Sequence, residues 1–259
     1  MSLLVTESLV LHGFDYLESS RIVRLLTRDA GIRSALAKGA RKSRRRFGSG
    51  LDLFAQGTAH LHTRPGRELD TLSGFEDVRT RTALGEELER FTGAEAIAEI
   101  ALAFGREGAD AALFDAVVAA LDALATRGGR DARGATLAGA WQIVGALGFG
   151  PALGECAECD RPLADDDTAL FSHSAGGVVC PRCASLAAGG RKLPATARAA
   201  IARWMSGADV APLSDAEVRA HQRLLREFLN YHLHDVNAAG GRSLRALDMW
   251  ERTGAWSAA

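Results

Sequence analysis

The chain has 259 residues, of which 47% are hydrophobic and 24% are charged, and this composition is typical of a globular protein. No run of about 18 apolar residues occurs, which excludes a membrane span, and the N-terminus lacks the basic region of a secretory signal. The formal net charge of −1 conceals an uneven distribution, because the N-terminal part of the chain is basic and the remainder is acidic. The sequence predicts a cytoplasmic protein.

The first 80 residues are expected to form about five short β-strands. Runs such as SLVLHGFDY and SRIVRLLT are rich in β-forming residues, and turn segments such as RDAG and RPGR separate them. Alternation in SRIVRLLT places Val23 and Leu25 on one apolar face. Five strands in this length indicate a small β-barrel such as an OB-fold, and strand counting leaves an SH3-like barrel open as the alternative.

One glycine-bounded segment of the predicted barrel concentrates positive charge. Residues 1–80 hold 13 Lys and Arg against 9 Asp and Glu, and six of the nine residues from Lys38 to Arg46 are basic. A polyanion would relieve their repulsion, and each arginine can bind phosphate through two donors. The segment therefore predicts a nucleic-acid contact, although a solvated loop or a nuclear localisation signal would have the same composition. The predicted contacts are Lys38, Arg41, Lys42, Arg44, Arg45 and Arg46, together with Arg33.

Aromatic residues that could stack on bases are few in this region. Most of them are expected in the core, so the predicted affinity comes from phosphates, is insensitive to sequence and falls with salt. The five are Phe14, Tyr16, Phe47, Phe54 and Phe75.

Residues 84–147 are predicted to be helical. Apolar residues recur there every three or four positions opposite an acidic face, and Gly148 and Gly150 end the pattern. The predicted buried stripes are Leu84, Leu88, Phe91, Ile97, Ile100 and Phe104; Leu113, Val117, Leu121 and Leu124; and Leu137, Trp141, Val144 and Leu147.

The four cysteines form two C-x2-C pairs, Cys156 with Cys159 and Cys180 with Cys183, separated by 20 residues. Each pair can form a tight turn that points two thiolates at a common centre, which predicts one structural Zn²⁺ per chain in a zinc ribbon. Two disulfides or a redox pair are the alternatives, and His173 in the intervening hairpin is a less favoured ligand. A shell of four sulfurs leaves no position for a catalytic water.

Helix is predicted again after the cysteines. Ser214 and Glu217 match a capping box, Val218, Leu225 and Phe228 mark a buried stripe, and a final segment is expected to pack Leu244, Leu247 and Trp250. A second basic cluster, Arg191 and Lys192 with Arg198 and Arg203, would either extend the nucleic-acid path or form a solvated surface.

These patterns predict a multidomain α+β protein in four parts: a DNA-binding OB-fold (1–80), a first helical part (81–150), a zinc-binding module (151–190) and a second helical part (191–259). No phosphate-binding loop, G-x-S-x-G or H-E-x-x-H motif occurs in the sequence. An enzyme is therefore not predicted.

The order of these parts resembles the RecO family of bacterial DNA repair and recombination mediators. The resemblance rests on YLESSRIVRLLTRDAGIRSALAKGARKSRRR, ALGFGPALGECAECDRP, FSHSAGGVVCPRC and REFLNYHLHDVNAAGGRSLRAL, which cover most of the chain. It implies an N-terminal OB-fold, a helical body and a zinc module that only some members have.

The resemblance also implies a function. The family binds single- and double-stranded DNA, anneals complementary strands and assembles with RecR, and it remodels single-strand binding protein so that RecA can load. A nucleoid-associated location would follow. The alternative hypothesis is a structural zinc-ribbon adaptor that scaffolds a protein complex, with the basic loop binding an acidic partner.

Overall fold

The computed structural model describes residues 2–40, 47, 51–164, 168–185, 190–208, 211–236 and 244–256. The N-terminal part consists of five strands, as the sequence predicts. They are β1 (Ser2–Tyr16), β2 (Ser20–Thr27), β3 (Gly31–Ala37), β4 (Gln56–Thr63) and β5 (Leu69–Arg79).

These strands form a closed barrel in the order β1-β2-β3-β5-β4. Strand β1 closes it, because its first half pairs with β4 from Ser2 to Leu9 and its second half pairs with β2 from Ser8 to Tyr16. A bulge between Val10 and His12 lets the strand bend between its two partners. Strands β3 and β5 pair in parallel, and every other pair is antiparallel. This is the five-stranded OB-type barrel, and the prediction is confirmed.

The remainder of the described chain is a helical body with a small sheet inserted into it. A short 3-10 helix (Thr82–Gly85) follows the barrel. The other elements are α1 (Leu88–Phe104), α2 (Ala111–Ala125), α3 (Gly129–Ala146), β6 (Ala169–Ser172), β7 (Gly177–Val179), α4 (Pro181–Ala184), β8 (Arg191–Leu193), α5 (Ala195–Met205), α6 (Asp215–Val236) and α7 (Arg245–Trp256).

Most of the predicted apolar stripes are buried. The stripe of α2 is completely buried, and Trp141, Phe228 and Trp250 lie at the centre of the body. The prediction for Leu88 is wrong, because this side chain is 51% exposed. Leu88 lies nine residues before Ile97, which is two and a half helical turns, so the two side chains point to opposite faces.

The barrel and the helical body share one apolar core. Leu9, Leu11 and Leu26 point away from the barrel interior and pack with residues of the helices. Val10, Val23 and Leu25 point inward and form the separate barrel core. The alternation of each strand therefore serves two cores, one on each face of the sheet.

Helix α6 begins with the predicted capping box. The Ser214 backbone N–H donates to Glu217 Oε2 over 2.8 Å, and the Glu217 N–H donates to Ser214 Oγ over 3.3 Å. These reciprocal bonds satisfy donors that the first helical turn leaves free. Among the described residues, no helix combines the length and the apolar character needed to cross a bilayer.

Candidate metal centre and nucleic-acid interface

The two C-x2-C pairs converge on one point. Their four Sγ atoms lie within 4.8 Å of one another, and the Cys159 and Cys180 sulfurs are 3.9 Å apart. All four are free thiols. A tetrahedron with metal–sulfur bonds of about 2.3 Å has edges of about 3.8 Å, so the observed spacing fits a shared metal ion and is too long for a disulfide.

Local backbone geometry explains how each pair turns towards this point. The Asp160 N–H donates to the Cys156 carbonyl oxygen over 2.8 Å, and the Ala184 N–H donates to the Cys180 carbonyl oxygen over 2.8 Å. Asp160 adopts a left-handed conformation with φ +56°, which completes the first turn. The Cys180 N–H also donates to Cys156 Sγ over 3.3 Å and ties the two turns together.

The cluster favours negative charge on its buried sulfurs. Burial acts to raise the pKa of Cys156, but backbone N–H groups, first that of Cys180, outweigh it and lower the pKa to about 6. The N–H of Cys183 lowers the pKa of Cys180. Hydrogen bonding to Cys159 and Cys180 favours the protonated thiol of Cys183 and raises its pKa to about 12, and repulsion from the Cys156 charge adds a smaller part. A bound cation would remove that repulsion, so the four sulfurs suit a metal ion.

The sheet β7-β6-β8 attaches this centre to helix α6. The rings of Phe171 and Phe228 lie 6.1 Å apart, and His173 Nε2 lies 3.4 Å from Glu227 Oε2. His173 therefore faces α6, and among the described residues the group that could hold a metal ion consists of the four cysteines. Helix α6 provides a rigid support for a module whose own apolar cluster is small.

The predicted nucleic-acid contacts begin at the end of strand β3. Lys38 is exposed there, and Phe47, beyond the cationic run, is buried in the barrel core. Gly39 has φ +69°, a conformation that glycine adopts without strain, and the chain turns at this point. The remaining predicted contacts of the run lie outside the described residues: Arg41, Lys42, Arg44, Arg45 and Arg46.

Arg33 is placed differently from Lys38. Its Nε donates to Asp70 Oδ2 over 2.8 Å, and its Nη1 lies 3.3 Å from Glu107 Oε2. Two carboxylates already balance the Arg33 charge, so the geometry favours a structural role at the barrel end. Sequence reasoning missed this pairing because the partners are far apart along the chain.

The second basic cluster is only partly on the surface. Lys192 is exposed, and Arg191 is also exposed but pairs with Glu227 through a 3.1 Å hydrogen bond from Nε. Arg198 is 4% exposed and donates to the carbonyl oxygen of Ala164. Arg198 therefore does not extend a surface path.

Aromatic residues of the barrel fall into two groups. Phe47, Phe54 and Phe75 are buried, as predicted for most of this set, whereas Phe14 and Tyr16 are exposed. The alternation in HGFDY, with rings at every second position, is the sequence signal that could have separated the exposed pair.

Comparison with known proteins covers both halves of the chain. A family model described as "Recombination protein O N terminal" matches residues 1–81, and one described as "Recombination protein O C terminal" matches residues 85–237. A DNA repair protein RecO of Anaeromyxobacter sp. (strain K) is 36% identical over 229 residues, covering 86% of this chain and 89% of that protein. RecO of Gloeobacter violaceus is 31% identical over 238 residues, covering 90% and 87%. RecO of Rubrobacter xylanophilus is 34% identical over 186 residues, covering 71% and 73%.

Proposed function

Because the chain belongs to the RecO family of DNA repair proteins, we propose that it is a non-enzymatic recombination mediator. It binds single- and double-stranded DNA without sequence preference and anneals complementary strands. With RecR, it helps RecA load onto DNA covered by single-strand binding protein. Its place of action is the cytoplasm, on the nucleoid.

One observation carries this proposal: an OB-type barrel has its densest positive charge in the connection between β3 and β4. Lys38 begins the run at the exposed end of β3, and Phe47 and Leu51 beyond it are buried in the barrel core. OB barrels are common supports for single strands. Lysine and arginine neutralise phosphates and release counterions, so the affinity falls with salt and does not depend on base sequence.

Annealing follows from the same electrostatics. Two complementary strands repel each other as polyanions, and a protein that neutralises their phosphates lowers this repulsion. Binding through phosphates leaves base edges free to pair. No nucleotide hydrolysis is needed, in agreement with a sequence that contains no phosphate-binding loop of the G-x-x-x-x-G-K-[ST] type.

The metal in this proposal is one structural Zn²⁺ held by Cys156, Cys159, Cys180 and Cys183. Four sulfur ligands at tetrahedral spacing are typical of zinc, and a closed sulfur shell has no open position for substrate. The ion would fold a module that has few buried apolar residues of its own.

The residues of the second basic cluster are not equally available for the proposed phosphate contacts. Lys192 and Arg191 are exposed beside the metal centre and can add phosphate contacts, although Arg191 must first leave Glu227. Arg33 is the weakest of the proposed contacts because it already binds Asp70.

A salt titration of binding to a short labelled single strand tests the proposal. The slope of log affinity against log salt reports about 0.7 per neutralised phosphate. We expect the triple variant Arg44→Ala, Arg45→Ala, Arg46→Ala to lose about two or more such units. The matched control replaces three exposed helical arginines, Arg219, Arg223 and Arg252, with alanine, and should keep the wild-type slope.

If the triple alanine variant binds the strand as tightly as the wild-type protein, and with the same salt dependence, the cationic segment is not the DNA-binding site. A protein that ignores oligonucleotides even in dilute buffer would overturn the whole proposal and leave the adaptor hypothesis. A strand-annealing assay with and without RecR then tests the mediator role.

A further inference from the structure

A cavity of about 670 Å³ lies between the barrel, α1 and α7. Helix α1 packs against both β1 and α7, so it lies between them and forms the floor of the cavity. The barrel supplies one wall, which includes Leu53, and α7 supplies the other, which includes Met249. We call this space the α1 cavity. Its volume is within the range of small-molecule sites.

Two carboxylates lie on the floor of the α1 cavity. Glu95 and Glu99 are one helical turn apart, and both are half-buried. Glu99 has a structural role, because its Oε2 accepts the backbone N–H groups of Ala246 and Leu247 over 2.9 and 3.0 Å. These bonds hold the start of α7 against α1. The second oxygen, Glu99 Oε1, makes no hydrogen bond to any residue that the structure describes.

Glu95 has no comparable structural role. Within the described part of the chain, no hydrogen-bond donor or cation is bonded to its carboxylate. Burial raises the pKa of Glu95, and the negative charge of Glu99 adds to this effect. Ionised Glu95 is therefore less stable in the cavity than in water. A cation brought by a ligand would remove this cost, and charges attract each other more strongly in a partly buried site than in bulk water.

The walls of the α1 cavity suit a hydrocarbon chain. Leu53 from the barrel, Leu102 from α1 and Met249 from α7 all line it. Leu53 and Leu102 are half-buried and Met249 is 54% exposed, so each keeps apolar surface that a ligand can cover. A chain of methylene groups that carries cations is thus complementary to both the walls and the floor.

We propose that the α1 cavity binds an aliphatic diamine or polyamine in its protonated form. One ammonium group pairs with Glu95, a second pairs with Glu99 Oε1, and the methylene chain between them packs on the apolar walls. Side chains one turn apart on a helix are about 5–6 Å apart, a span that a chain of about four methylene groups covers. This inference goes beyond the proposed function and does not depend on it.

Three basic side chains also line the α1 cavity, and they oppose a bound cation. Arg24 on β2 is half-buried and takes part in another interaction, whereas His12 and Arg245 are exposed. Solvent screens an exposed charge such as that of Arg245 but does not abolish it. Removing the Arg245 charge should therefore strengthen binding of a diamine, and removing the Glu95 charge should weaken it.

The experiment titrates diaminobutane into the full-length protein and follows the methyl NMR signals of the methionines. Met249 lines the cavity, whereas Met205 lies near Gly145 and Gly150 and serves as the internal reference. Butanediol, which has the same chain without charge, and sodium chloride at matched ionic strength are the control probes.

Three variants test the residues that line the cavity. Glu95→Gln and Arg245→Gln each remove one charge, and Ala103→Leu narrows the cavity without changing its charge. The matched control is Glu68→Gln, which removes an exposed carboxylate just before β5. Ala103→Leu keeps the test valid if Glu95→Gln folds poorly.

We expect diaminobutane to shift the Met249 signal to saturation and to leave the Met205 signal unchanged. Butanediol and salt should shift neither signal. Glu95→Gln and Ala103→Leu should each bind diaminobutane at least about tenfold more weakly, and Arg245→Gln should bind it about twofold more tightly. Glu68→Gln should bind like the wild type.

A Met249 signal that diaminobutane does not move would overturn the proposal. Equal responses to diaminobutane and butanediol would also overturn it, because the carboxylates would then have no role. Wild-type affinity in both Glu95→Gln and Ala103→Leu would place the diamine elsewhere on the protein. None of these results bears on DNA binding, since no probe contains nucleic acid.

Discussion

Arg81 joins the barrel to the helical body through Asp122. The Arg81 Nε lies 2.6 Å from Asp122 Oδ1 on α2, while its other nitrogens donate to the Phe54 carbonyl oxygen over 2.9 Å and to Gln56 Oε1 over 2.6 Å. The Arg81 side chain is only 2% exposed. One guanidinium therefore binds α2, the loop before β4 and β4 itself.

Replacing Asp122 with alanine should leave the buried Arg81 charge without its carboxylate. We expect the free energy of unfolding to fall by about 1–3 kcal/mol, less than for a completely buried pair because Asp122 is partly solvated. Urea denaturation measures the change. The control is Asp115→Ala, which breaks the exposed pair with Arg28 and should cost less than about 1 kcal/mol. Equal losses in the two variants would contradict this account.

Gly31 is a second point where the barrel meets the helical body. It has φ +63°, and a Cβ there would lie 2.2 Å from the Arg106 carbonyl oxygen. Gly31→Ala should therefore suffer both backbone strain and a steric clash that displaces residues 105–108 from β3. We expect a loss of more than about 2 kcal/mol in the free energy of unfolding.

Gly66 provides the matched control for Gly31. It also has positive φ, +75°, but a Cβ there meets nothing within 4 Å. Gly66→Ala should cost only the backbone strain, about 1 kcal/mol. If the two alanine variants have equal stability, contact with Arg106 is not what requires glycine at position 31.

His221 should make the protein sensitive to mild acid. Burial lowers its pKa to about 4, against a smaller opposing effect of Glu217, and its ring packs 4.7 Å from that of Trp204. The unfolded chain binds the proton below pH ~6.5, whereas the folded chain does not until about pH 4. Stability from this residue is therefore complete above pH ~6.5 and is lost as the pH falls towards 4.

The variant His221→Gln tests this linkage. We expect the wild type to lose roughly 1–2 kcal/mol more than the variant between pH 7 and pH 5, measured as the free energy of unfolding in urea. Because the free energies of unfolding at pH 7 and pH 5 are compared within each protein, any pH-independent effect of the substitution cancels. Parallel pH profiles for the two proteins would show that His221 is not the group responsible.

Removal of one cysteine should release the metal and unfold the module around it. Cys156→Ser and Cys180→Ser replace the two buried ligands, and we expect the bound zinc to fall from one per chain to near zero by elemental analysis. Backbone amides of β6 and β7 should lose protection from hydrogen exchange, because metal binding supplies most of the folding free energy of such small modules. The barrel strands should keep theirs. Retention of zinc by Cys156→Ser would exclude the four-sulfur centre.

Local pattern in the sequence predicted the elements and the cysteine cluster well. Alternation identified the buried face of β2 with Val23 and Leu25, spacing identified the four cysteines whose sulfurs converge, and the capping box located the start of α6. These features depend on neighbours within a few residues or on a fixed spacing, which a single sequence displays.

Long-range pairing could not be predicted in the same way. The sequence predicted Arg33 as a nucleic-acid contact, but in the structure it pairs with Asp70 and Glu107, which are 37 and 74 residues away. The alternation in HGFDY places Phe14 and Tyr16 on the same face, but the exposure of that face depends on the bulge in β1 and on which faces of the barrel the helices cover. Such facts arise from topology, and no local propensity encodes them.

Closure of the barrel by β1 also restricts how other molecules can bind it. Because β1 is hydrogen-bonded to both β2 and β4, and β3 pairs with β5 over residues 34–37, the described barrel presents only short free strand edges, which leave little room for a partner to add a strand of its own. A protein that binds this barrel is therefore expected to contact its side chains or loops. Point substitutions on its outer surface should then separate one partner from another without disturbing the backbone scaffold.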